Sequence, residues 1–325
     1  MRSPQLWLPP EVPFTVGDVG VSQDVLERAA RRGAIVRLGR GVYIHADAVP
    51  SEATARHLLQ AAARQRLNPD LVGSHGTAAL AHDVPLLDRA DTAAGPPTFT
   101  TQPAPGRRSS RHPRVSLAHL PRRHVSTAAF DLDVTSPVRT AVDLAAQSDL
   151  PSGLMALDAV ARQLALTLVD DLRQFQDGLD PQLRKAVMEP LLDAAGVVGG
   201  HRSARRLAAV LAAVDPRRES PLESFVAGCI HQSELPQPTP QLLVETPEGD
   251  LYGDLGWKRY RLVLECDGML KYKDQRSLHE EKARETRMRR VAYRVERCGW
   301  AGVNPDRVSF LLWLEGVLAE QGLRR

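Results

Sequence analysis

Glu265 and Asp267 close the apolar run YRLVLECDG at residues 260–268. Side chains two apart on a strand share one face, so the two carboxylates are held together and repel. A third acid, Asp254, precedes them in DLYGDLGW. Taking Lys258 and Arg259 as a two-residue hairpin loop pairs Trp257 with Tyr260 and sets Asp254 opposite Val263, with Glu265 its diagonal neighbour at roughly 7 Å. Leu262, Leu264 and Cys266 then face the core. Three acids meeting in this way suit a hard divalent cation, Mg²⁺ or Mn²⁺, which takes one or two carboxylates together with water and phosphate oxygens. Asp254, Glu265 and Asp267 are the candidate ligands, and the chemistry they imply is metal-assisted attack of water on a phosphodiester. The alternative is a hairpin with one hydrated face, on which Asp267 and Gly268 merely begin a turn.

The elements that must position these acids can be read around them. ESPLESFVAGCIHQSELPQP predicts a helix capped by Ser220, with Pro221 at its first position and Glu223 three after the cap. That capping box accounts for Glu223 without chemistry. QLLVET, DLYGDLGW and YRLVLECDG read as three strands of a meander, followed by the charged helix SLHEEKARETRMRR and the run AYRVER.

The succession D…ExDG…EKxRxxxMRRxAYRVxR across residues 217–320 resembles the PD-(D/E)xK nuclease superfamily, near the branch that includes the very-short-patch-repair endonuclease. The resemblance implies an αβββαβ restriction-endonuclease-like domain, a Mg²⁺-dependent phosphodiesterase site and double-stranded DNA as substrate. Carried over by position, Asp254 matches the first metal-binding acid, Glu265 the second, and Glu223 the acid of the leading helix. Asp267 departs from the pattern, because it stands where the family has a lysine that orients or deprotonates the attacking water. It can hold metal or act as a base, but it brings no positive charge. Lys271, Lys273 and Lys282 are the candidates to supply that charge. Lys282 and Arg289, seven apart, share a helix face that looks either to the site or to the DNA backbone, unless i,i+4 pairing on a solvated helix occupies them.

At the other end of the chain, FTVGDVGVSQDVLERAARRGAIVRLGRGVYIH, residues 14–45, predicts two short helices capped by Thr15 and Ser22 and meeting at Gly20. Val25, Leu26 and Ala29 form the apolar face of the second helix. A tight basic hairpin follows around Gly39 and Gly41. Helix, turn, helix and hairpin in this order is a winged helix-turn-helix. Gln23, Arg28, Arg31 and Arg32 are then the candidates to reach DNA from the second helix, and Arg37 and Arg40 from the wing. The alternative is that the helix arginines only solvate a surface and complement a helix dipole. This stretch, and more loosely GSHGTAALAHDVPLL and VTSPVRTAVDLAA, resembles the abortive-infection type IV antitoxin family. That resemblance implies operator DNA binding, a following domain that supports antitoxin action, and a toxin protein, a nucleotidyltransferase, as a possible partner.

The expected organisation is an α+β multidomain chain: a winged helix over 1–50, a mostly helical middle domain over 51–216, and the nuclease-like domain over 217–325. The middle begins with SEATARHLLQAAARQRL, read as a Ser-capped helix, then crosses a Pro-, Gly- and Arg-rich stretch with short strand-like pieces and becomes nearly all helix from Ser136. Arg107, Arg108, Arg111, Arg114, Arg122 and Arg123 make that stretch either a phosphate-contacting arm or a hairpin kept soluble by charge. The histidines are isolated, which favours satisfied or solvated imidazoles over metal ligands.

With 43% hydrophobic and 25% charged residues and a net charge of +3, the composition is that of a globular chain. Cys229, Cys266 and Cys298 form no CxxC pair and fit a reducing cytoplasm better than a disulfide framework. No export signal or membrane-length apolar run is evident.

Overall fold

The computed structural model describes residues 11–103, 114–198, 201–267 and 275–324. It divides into two compact units, the first running to Asp143 and the second from Leu144, apart from a short stretch at 196–199 that goes with the first.

The first unit begins with α1 (Val16–Val19) and α2 (Gln23–Arg31). The Asp18 carboxylate accepts from Thr15 N–H at 2.7 Å and ties down the first turn of α1. Ser22 occupies the N-cap position of α2 but makes no side-chain bond to the helix. An antiparallel hairpin follows, β1 (Ile35–Gly39) and β2 (Val42–His45), turning through Arg40 and Gly41. Phe14, Leu26, Ile35 and Tyr43 are buried together, with Val16, Val19 and Ala29 packed against them.

The rest of this unit contains α3 (Ala53–Leu67), β3 (Val72–Gly73), α4 (Gly76–His82), α5 (Arg89–Ala94), β4 (Phe99–Thr101), β5 (Val115–Leu117), β6 (Val125–Thr127) and β7 (Asp133–Thr135). The strands form one sheet in the order β5-β4-β3-β7-β6. Residues 51–143 thus combine helices with short strands, as the strand-like pieces of the Arg-rich stretch suggest, and among the described residues from Pro137 to Ala212 the regular elements are all helices. The cap of α3 is Glu52 and not Ser51. Its carboxylate oxygens accept from Thr54 N–H at 2.9 Å and Ala55 N–H at 2.7 Å. Leu58, Ala62, Leu80, Phe99 and Val134 share the core. His57 bonds the Gly95 carbonyl and the Thr77 hydroxyl, and His82 the Thr135 carbonyl. Burial lowers the pKa of both rings, so each is a neutral structural imidazole.

From here α6 (Pro137–Gln147) carries the chain into the second unit. That unit contains α7 (Leu150–Leu166), α8 (Pro181–Ala195), α9 (His201–Ala212), α10 (Pro221–His231), β8 (Thr239–Val244), β9 (Leu251–Trp257), β10 (Leu262–Asp267), α11 (Gln275–Arg290), β11 (Arg294–Gly299), α12 (Trp300–Val303) and α13 (Arg307–Glu320). The helices α7, α8 and α9, which pattern alone groups with the middle segment, lie in the same compact unit as the C-terminal sheet, with α7 packed on α8, α9 and α10. α7 lies so close to α10 that a Cβ on Gly228 would stand 2.6 Å from Pro151 Cα.

The four strands run in the order β11-β10-β9-β8. β10 pairs antiparallel with β9 and parallel with β11, and α11 makes the crossover that a parallel pair requires. Trp257 pairs with Leu262, not Tyr260, so the β9–β10 connection spends four residues, Lys258–Arg261, and not two. A single 3₁₀ turn and Arg261 at φ 46° take up the extra length. Both faces of β10 are covered. Leu262, Val263 and Leu264 are fully buried and Glu265 is 6% exposed, which removes the hydrated-face alternative for Glu265. Among the described residues no helix is long and apolar enough to cross a membrane.

Candidate active site

Glu223 is delivered by the first turn of α10. Ser220 Oγ accepts from Glu223 N–H at 3.2 Å, as the capping motif requires. The return arm differs from the expected box, because Glu223 Oε2 accepts from Glu219 N–H at 2.9 Å. The same oxygen accepts from Gln241 Nε2 at 3.2 Å, inside a buried setting.

The second acid arrives where two strands are broken together. Between the pairs Pro240↔Leu255 and Leu242↔Gly253 lies the position of Gln241 and Asp254, and Gln241 has φ 49°, a left-handed value in the middle of a strand. A Cβ on Gly253 would meet Val263 at 2.5 Å, and one on Gly256 would meet Leu242 at 2.4 Å. Leu242 and Val263 belong to one cluster with Met288 and Val295. Two β9 positions three apart therefore look to the same side, so strict alternation fails at Asp254. The acids are brought together by this kink and by the longer loop, and not by strand parity alone.

Asp254 lies one step beyond the Leu255↔Leu264 pair, on the Glu265 step and not opposite Val263. Its Oδ2 accepts from Cys266 N–H at 2.8 Å, and it lies close enough to Glu265 for the two carboxyl groups to act on each other. Burial and then the Asp254 charge push Glu265 up to about 8. Burial likewise raises Asp254, against the bond from Cys266. Burial and the Asp254 charge take Glu223 to about 7. Three carboxyl groups thus act on one another in a poorly solvated place, the arrangement expected where acids share protons or answer to a cation.

Asp267 ends β10 beside them, and its charge adds to the rise of Asp254. It is half-buried, and its Oδ2 lies 3.4 Å from Arg297 Nη1. Arg297 stands beside Glu265 in the parallel register and also pairs with Glu285 at 3.3 Å. Among the described residues Glu265 is met by Arg284 of α11, a residue outside the sequence-based candidates. Its Nη1 donates to Glu265 Oε1 at 2.9 Å, and its Nη2 donates to the Tyr252 carbonyl. Arg284 lies four residues before the buried Met288, so it continues the helix stripe that faces the sheet. That spacing was the available signal. Lys282 is exposed, and Arg289 pairs with Glu285 at 2.5 Å along its own helix. Lys271 and Lys273 lie outside the described residues.

Among the described residues no group of three or more His, Cys, Asp or Glu side chains is arranged to hold a metal ion. Asp254 and Glu265 supply two carboxylates, the number Mg²⁺ commonly takes from a protein while keeping water. Their oxygen donors, burial and mutual repulsion fit a hydrated hard cation.

In the first unit Arg28, Arg31, Arg32, Arg37 and Arg40 are all exposed. Gln23 Nε2 donates to Tyr43 Oη at 3.0 Å and to Glu27 Oε1 at 3.2 Å, so its amide is engaged within the helix and hairpin. Arg114, Arg122 and Arg123 are exposed, whereas Arg107, Arg108 and Arg111 lie outside the described residues. Compared with protein-family models and with curated proteins, the sequence matches none.

Proposed function

We propose that the second unit is a restriction-endonuclease-like, Mg²⁺-dependent DNA endonuclease and that the helix–helix–hairpin of the first unit is a winged helix that binds double-stranded DNA. The observation that carries this reading is the buried Asp254–Glu265 carboxyl pair beside Glu223, which is costly to maintain unless a cation or a shared proton answers it. Asp254 and Glu265 would hold the metal. Mg²⁺, or Mn²⁺ in its place, supplies positive charge that favours hydroxide over water and balances charge gained by the cleaved phosphate.

The chain's own groups divide the remaining work. Glu223 keeps a proton near neutral pH and is oriented by Glu219 N–H and Gln241. Arg284 and Arg297 bring guanidinium groups to the acids, and these can stabilise negative charge on phosphoryl oxygens but cannot serve as bases. Asp267 remains an acceptor at the rim, with Arg297 as its partner. Exposed arginines on α2 and the hairpin supply the phosphate contacts that DNA binding needs.

Arg284 also favours a second reading. A guanidinium already seated on Glu265, with Asp267 in the place of a lysine, suits a chain that grips DNA as an antitoxin-like repressor without cutting it. Incubating the purified chain with supercoiled plasmid and Mg²⁺ separates the two. Nicked or linear product that disappears in Glu265→Gln supports the endonuclease. Product that persists in that variant removes the site assignment, and intact plasmid with Mg²⁺ and Mn²⁺ leaves the repressor.

A further inference from the structure

β8 is the outer strand of the four-stranded sheet, so the backbone groups on its open side need partners from elsewhere. Gln176, in the segment between α7 and α8, supplies them with one side chain. Its Nε2 donates to the Gln241 carbonyl at 3.0 Å, and its Oε1 accepts from Leu243 N–H at 2.8 Å. One amide joining the carbonyl of one residue to the N–H two residues on is the pattern that a single residue of an adjacent parallel strand makes with its own N–H and C=O. The segment is itself held, because Arg217 Nη1 donates to the Phe175 carbonyl at 2.8 Å and to the Gln176 carbonyl at 3.2 Å.

The residue gripped in this way is the left-handed Gln241, whose side chain bonds Glu223. A non-glycine residue persists at positive φ within a strand only where its surroundings hold it there. We infer that Gln176 is a positioning residue for the acid cluster: its amide stands in for a fifth strand and holds Gln241 in the conformation that brings Gln241 Nε2 to Glu223. Its effect on cleavage rests on the endonuclease reading above, whereas its effect on Gln241 does not.

The test uses the full chain carrying Gln176→Glu, compared with wild type at alkaline pH. A carboxylate of the same shape still accepts from Leu243 N–H but no longer donates to the Gln241 carbonyl. In uniformly ¹⁵N-labelled protein, with the Gln241 side-chain amide assigned by its loss in Gln241→Ala, that amide is expected to exchange as a free one. The Leu243 backbone amide stays protected, showing that the sheet edge is intact. With plasmid and Mg²⁺, kcat falls about tenfold or more while KM is unchanged. A Gln241 amide that exchanges as in wild type overturns the inference, and so does cleavage at the wild-type rate. Should wild type itself not cleave, the endonuclease reading fails, and the exchange measurement alone decides whether Gln176 positions Gln241.

Discussion

Asp254 and Glu265 face each other from neighbouring antiparallel strands, one step beyond the Leu255↔Leu264 pair, while Arg284 Nη1 donates to Glu265 Oε1 at 2.9 Å. One proton, one guanidinium and, in the proposed activity, one metal ion therefore compete for the same oxygens. Most of what can be tested follows from that competition.

The first consequence is a pH dependence of stability without metal. Glu265 titrates at about 8 in the folded chain against 4.5 for an ordinary glutamate, and Glu223 at about 7. Between 4.5 and about 8 the folded chain retains protons that the unfolded chain has released. Stability is thus greatest at the low end of that window and falls as pH rises through it. Thermal midpoints measured across the range should decline toward alkaline pH, and Mg²⁺ should restore them with release of protons, read by calorimetry in buffers of different ionisation enthalpy.

Glu265→Gln separates charge from shape. In acid, where Glu265 already carries its proton, the midpoint should match wild type. Above the Glu265 titration the variant should be more stable by about 1 kcal/mol, because a poorly solvated charge is gone. Plasmid cleavage should drop about 100-fold or more. Parallel urea titrations and cleavage assays check both.

Arg284→Ala removes the donor to Glu265 and to the Tyr252 carbonyl. A loss of about 1–3 kcal/mol is expected at alkaline pH, where Glu265 is ionised, with a smaller loss in acid. Arg284→Lys should recover only part, since an ammonium group cannot reproduce the two-armed contact. Chemical denaturation at two pH values distinguishes these outcomes.

DNA binding by the first unit should be strongly salt-dependent. Each exposed arginine that neutralises a phosphate contributes about 0.9 to the slope of log affinity against log salt. Arg28→Ala with Arg31→Ala should lower the slope by about 2, and Arg37→Ala with Arg40→Ala should act the same way through the hairpin. Gln23→Ala should leave the slope unchanged, because its amide is spent on Tyr43 and Glu27. Fluorescence anisotropy on a short duplex at several salt concentrations measures all three.

Gly228→Ala tests the packing of α7 on α10. The added methyl would sit 2.6 Å from Pro151 Cα, and relieving that contact should cost about 1–3 kcal/mol. A lowered thermal midpoint with unchanged helix content by circular dichroism is the expected result.

Much of the local structure was legible from residues close together in the chain. The Ser220 cap with Pro221 and Glu223, the two short helices ahead of a tight hairpin and the three strands β8, β9 and β10 all depend on neighbours within a turn or a strand. Local rules faltered where one residue substituted for another in the same role. Glu52 caps α3 in place of Ser51, and Glu223 reaches Glu219 and not its own cap.

By itself the sequence determined which residue types could form an acidic centre and on which elements they would ride, because side-chain chemistry, capping and periodicity are properties of short stretches. Only the tertiary structure decided how the acids meet. A left-handed Arg261 lengthens the β9–β10 loop, a kink at Gln241 and Asp254 breaks the alternation, and Arg284 is turned inward by Met288 while Lys282 stays outside. Gln176 reaches β8 from 65 residues away. Such pairings are chosen by the packing of a whole unit, where many contacts from distant parts of the chain add together and override the weak preference of any one segment.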